Sequence, residues 1–115
     1  MTTAMSRRTA LAALGAAPFA LARRAQAQET VSIEISLKNQ QFQPREIRAP
    51  ADKRIVLRVK NLDAKAMEFE SVSLRVEKVV VPNGVGIINL RPLKPGRYNF
   101  FDDFNPSATG TLIVE

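Results

Sequence analysis

The 115-residue chain contains no cysteine, no histidine and no tryptophan, and only one tyrosine and five glycines. Without a thiolate or an imidazole there is no disulfide, no Ser-His-Asp or Cys-His machinery, no nitrogen–sulfur zinc site and no haem axial histidine. Five scattered glycines with no glycine-rich turn also remove a phosphate-cradling loop. The one long apolar run, Ala10 to Leu21, falls well short of the ~20 residues that a membrane-spanning helix needs. What remains is a small chain whose available chemistry is that of oxygen: carboxylates, amides and hydroxyls.

The first 27 residues read as an export signal rather than as part of the domain. Arg7-Arg8 precede the Ala-rich run, and Ala25-Gln26-Ala27 forms an A-x-A-like cleavage site. Ser6-Arg7-Arg8-Thr9-Ala10-Leu11 is also similar to a twin-arginine motif, with Ala10 where Phe is usual. A periplasmic destination follows, with residues 28–115 as one domain. The leader accounts for most of the charge. Of 17 basic residues, Arg7, Arg8, Arg23 and Arg24 lie in it, leaving 13 against 11 acidic ones, so the net falls from +6 to +2. That balance gives no reason to expect a nucleic-acid partner.

Past the leader the pattern is extended throughout. Val31-Ser32-Ile33-Glu34-Ile35-Ser36-Leu37 alternates strictly, the signature of a half-buried strand. Further segments are expected over 46–48, 54–60, 66–73, 76–81, 86–90, 97–101 and 109–114, separated by turn residues such as Pro50-Ala51-Asp52, Pro82-Asn83-Gly84 and Pro92 to Gly96. Short strands at this spacing, with no helical period, predict an all-β antiparallel sandwich or barrel of about seven or eight strands. Tyr98 in "LKPGRY" fits either a tyrosine corner, its hydroxyl bonded back to the preceding loop, or an ordinary core tyrosine.

Two stretches carry a family likeness. "NQQFQPREIRAPADKRIVLRVKNLD" (39–63) resembles the front half of the cupredoxins, and "LKPGRYNFF" with "ATGTLIVE" resembles the back half. The resemblance implies a Greek-key sandwich. It also implies four copper-ligand positions, matched here by Glu68 or its neighbourhood, Asp102, Asn105 and Ala108. Type 1 copper takes two imidazoles, a thiolate and a weak axial ligand, so this chain is expected to lack that centre. "EFES", "EKVVVPNG" and "PLKPGRYNFFDDFNP" further resemble the small cupredoxin-like proteins of bacterial high-affinity iron permease systems. That likeness implies Glu68, Glu70, Glu77, Asp102 and Asp103 as metal-site residues. Relatives often have His where Asn105 stands, so one imidazole is missing even from that pattern.

The residues support the idea in part. Carboxylate oxygens suit hard cations such as iron rather than copper(I). Glu68 and Glu70, at i and i+2, share one strand face. The bland reading is also open: alternating glutamates on a solvated strand, and Asp102-Asp103 as turn formers. Met67 is expected to fill core. The basic residues Arg45, Arg48, Arg54, Arg58, Lys60 and Lys65 form a solvated face or a docking surface for an acidic partner or an anionic membrane. The expected function is a periplasmic accessory of metal uptake, iron foremost, with an iron or copper ion at oxygen ligands. Its partner would be an inner-membrane iron permease or another periplasmic uptake component, and a homodimer is allowed. Binding or delivery is favoured over a ferroxidase activity, which the resemblance also allows. The alternative is a metal-free interaction domain with a degenerate copper site.

Overall fold

A computed structural model describes residues 29–115; the expected export signal lies outside the described residues. Nine strands follow in order: β1 (Thr30–Lys38), β2 (Gln41–Gln43), β3 (Glu46–Ala49), β4 (Arg54–Asn61), β5 (Met67–Ser71), β6 (Val76–Val80), β7 (Val85–Leu90), β8 (Gly96–Asp102) and β9 (Asn105–Val114). They form two sheets, ordered β2-β1-β4-β7 and β3-β9-β8-β5-β6. The all-β sandwich is therefore observed, with one strand more than the alternation gives. The additional strand is β2, three residues whose centre, Phe42, is buried.

The expected purely antiparallel pairing is corrected. β1 lies parallel to β4, from Thr30 opposite Arg54 to Leu37 opposite Asn61, and β3 lies parallel to β9. Parallel neighbours need a crossover, because a tight turn reverses direction. Here residues 39–53 supply it: the chain leaves the first sheet after β2, contributes β3 to the edge of the second, and returns as β4.

Alternation sets the faces. Ile55, Leu57 and Val59 of β4 are buried, while Arg54 and Arg58 between them are exposed. Between the sheets, Phe42, Phe69 and Phe100 form the centre of the core. Phe42 meets Phe100 edge-on at 5.0 Å between ring centres, and Phe69 stacks on Phe100 at 5.0 Å. Such pairs contribute about 0.5–1.5 kcal/mol each beyond the burial of their area. Met67 is fully buried beside them, as expected of core filling. Tyr98 donates its hydroxyl to the Lys94 carbonyl at 2.8 Å, the bond a tyrosine corner makes.

One end of the sandwich is built by polar caps. Asn39 and Gln40 both take positive φ, 53° and 61°, which costs residues other than glycine roughly 1–2 kcal/mol each. The Asp63 carboxylate accepts both of their amide hydrogens, at 2.7 and 2.9 Å, and so holds the turn. Asn61, fully buried, donates to the carbonyls of Lys65, Val80 and Val81 and accepts from the Asp63 amide. Asn61 and Asp63 thus tie three loops together at this end.

Candidate metal centre

β5 places its side chains by strict alternation. Met67, Phe69 and Ser71 face the core, and Glu68 and Glu70 face outward, each half-buried by its neighbours. β8 arrives antiparallel alongside, with Phe69 opposite Asp102 and Glu70 opposite Phe101. Past that point the β8–β9 register shifts, and Asp103 is fixed by its amide hydrogen bond to the Glu68 carbonyl at 2.8 Å. Glu68, Glu70 and Asp103 consequently converge on the outer face of the second sheet, each offering a carboxylate oxygen within 4.8 Å of the others. β6 adds Glu77 directly opposite Glu70.

The electrostatics are those of crowded like charges. Burial pushes the Glu68 carboxyl above the ordinary glutamate range, and Asp103 beside it, through a hydrogen bond and repulsion, pushes it further. Glu70 is raised as well, first by its hydrogen bond with Glu77 and then by partial burial, with the charges of Asp103, Glu77 and Glu68 adding to these. Among the described residues none of these acids joins an ion pair, although Arg48, Lys53, Arg58, Lys60 and Arg97 all do so elsewhere. The group is thus an oxygen-only donor set without an ion-pair partner among the described residues, although Arg75 lines a cleft with Glu70 and Glu77.

Of the five expected site residues, three come together, one stands next to them and one turns away. Glu77 adjoins the trio through Glu70. Asp102 faces the interior, only 4% exposed. Its Oδ1 accepts the amide hydrogens of Glu68 at 2.9 Å and Phe104 at 3.0 Å. It therefore sets the path of the chain at the point where Glu68 and Asp103 meet, whereas Asp103 reaches the outer cluster. Nor does Glu68 point into the interior of the sandwich as the resemblance to a copper-ligand position implies; Met67, its neighbour on the strand, is the buried one. Asp102 and Asn105, two of the positions that the resemblance gives to copper ligands, line an open cleft of about 510 Å³ with Phe104, Asp63 and Lys65. The capping work of Asn61 and Asp63 was missed from sequence, although Asn and Asp flanking a strand end are residues that bond nearby backbone.

The comparisons agree with this architecture. A family model described as a cupredoxin-like domain matches residues 11–114. An uncharacterized protein of Rickettsia prowazekii (strain Madrid E) is 39% identical over 85 residues, covering 73% of this chain and 68% of that protein. Among solved structures, the metal-binding domain of the Cu(I)-exporting P-type ATPase CopA of Streptococcus pneumoniae D39 superposes with a TM-score of 0.65 at 14% identity, covering 76% of this chain and 97% of that one. Auracyanin from Roseiflexus castenholzii superposes with a TM-score of 0.63 at 16% identity, covering 74% and 97%. Likeness at this identity is a statement about fold.

Proposed function

The chain belongs to the cupredoxin-like domain family, and from that premise we propose an exported accessory of metal uptake that binds or delivers a hard cation, iron foremost, through carboxylates. The single observation that carries this reading is the convergence of Glu68, Glu70 and Asp103, with ligand oxygens within 4.8 Å of one another. A cation between them would relieve the repulsion that raises the glutamate pKa values, so the site is arranged to gain from occupancy. Hard, oxygen-preferring ions fit such donors.

Copper of the type 1 kind does not fit the donors present. It needs a thiolate and imidazoles, and the chain has neither cysteine nor histidine. The cleft of about 510 Å³ offers Asp102, whose Oδ1 is engaged by two amides, and the Asn105 amide. Binding and handing over an ion is therefore favoured over redox turnover, and an inner-membrane permease is the proposed recipient.

The test is titration with ferric ion supplied as its citrate complex, and with manganese(II) and copper(II), followed by calorimetry. We expect uptake of a hard ion by the natural protein and at least a tenfold weaker affinity for Glu68→Gln/Asp103→Asn, which keeps size but removes charge. If the natural protein takes up none of the three ions, the domain acts through its surface alone.

A further inference from the structure

The opposite face of the sandwich carries the opposite charge. On the outer side of β4, Arg54 and Arg58 are exposed and Lys60 is half-exposed. The register sets Arg58 beside Ile87 and Lys60 beside Val85 on β7. Directly opposed residues share one face, so cations and apolar side chains alternate across a single surface. Ile87 and Val85 are 42% and 47% exposed, and β7 is the last strand of its sheet, with no strand hydrogen-bonded beyond it. Glu34 is the one acid on the outward side of β1; it is shared between Lys60 at 3.1 Å and Arg58 at 3.6 Å, so positive charge remains in excess. Arg54 has no ion-pair partner among the described residues.

We propose that this face docks on an anionic phospholipid surface, with Arg54, Arg58 and Lys60 at the headgroup phosphates and Val85 and Ile87 at the acyl boundary. Three considerations select a lipid surface as the occupant. Cations with long apolar stems around exposed β-branched side chains are complementary to a layer that is anionic outside and apolar inside. The face is a broad pleated surface, and the cleft at its edge is lined by Arg54 and Arg91 beside Val56 and Asn89, which suits a headgroup phosphate better than the apolar side of a partner helix. A second copy is disfavoured: the acids that would match this face lie on the other sheet, so the contact would be heterologous, building rings or filaments rather than a two-fold dimer. Docked this way, the molecule turns Glu68, Glu70 and Asp103 away from the bilayer. The proposal does not depend on what that trio binds.

Co-sedimentation of the whole chain with vesicles tests it. Phosphatidylglycerol mixed with phosphatidylcholine should capture the protein at low salt, and phosphatidylcholine alone should not. Each cation near such a surface strengthens binding roughly fivefold, so Arg58→Glu/Lys60→Glu should weaken partitioning by at least tenfold. Ile87→Ser should weaken it with every charge kept. Because the chain contains no tryptophan, an Ile87→Trp variant reports directly, and its emission should shift to the blue only with anionic vesicles. Equal capture by both vesicle types overturns the proposal. So does capture of the Glu variant as strong as the natural protein's, which would assign binding to another part of the chain. An absence of vesicle binding, with retention on an acidic protein instead, overturns it too.

Discussion

Glu68 and Glu70 are held in a state that costs free energy whenever both are ionised. Their folded pKa values are raised, so the native state binds protons that the unfolded chain has already released. Stability without bound ion should therefore fall as pH rises from the ordinary glutamate range through the raised values. Urea unfolding across that window should show the decline, and Glu68→Gln should flatten it. Cation affinity should run the other way, weakening as protons compete. Asp102 has a separate and structural task. Asp102→Ala would leave the Glu68 and Phe104 amides without their acceptor and should cost about 2–4 kcal/mol, whereas Asp102→Asn keeps an oxygen acceptor and should recover most of it. An Asn variant as unstable as the Ala variant would show that charge, not capping, matters there. The sequence makes part of this site legible. Spacing i and i+2 places the two glutamates on one face, but it does not say which of two adjacent aspartates joins them. That is decided by the register shift after Phe101, which no pattern of residue types displays.

Strand order shows the same division between what is local and what is not. Alternation in 31–37 and 54–60 locates β1 and β4 and their buried faces, because burial of one face is a local property. Their parallel pairing depends on a crossover through the other sheet, which is not. β2 escaped notice because its three residues have one apolar side chain; it persists because Phe42 fills the space against Phe69 and Phe100. Phe42→Ala should accordingly cost about 3–5 kcal/mol, a large share for a domain with no disulfide. Gly110 of β9 lies directly opposite Phe100 of β8, under its ring. A Cβ there would stand 2.4 Å from the Phe100 ring and 2.9 Å from the Arg45 carbonyl, and the backbone oxygen has little room to move. Gly110→Ala should therefore destabilise by about 1–3 kcal/mol in urea, and an unchanged midpoint would mean that the β3–β9 edge is loose.

The whole molecule is bipolar: an acidic, partly buried cluster on one sheet and a cationic, partly apolar surface on the other. The net charge of the chain conceals this, since it sums two patches of opposite sign with the four arginines of residues 1–27. The sandwich is legible in the sequence because its turns and alternation extend over residues 30–114, while the acidic cluster depends on a few side chains meeting from β5, β6 and the β8–β9 turn. On the reading proposed above, a hard cation sits on the outer face among Glu68, Glu70 and Asp103. The most direct measurement is anomalous X-ray scattering at the iron edge from crystals of the ferric-loaded protein. A peak is expected at oxygen-ligand distance from those three carboxylates, with no sulfur in the coordination shell; a peak in the cleft between Asp102 and Asn105, or none in crystals soaked at saturating iron, would rule out a cation at the trio.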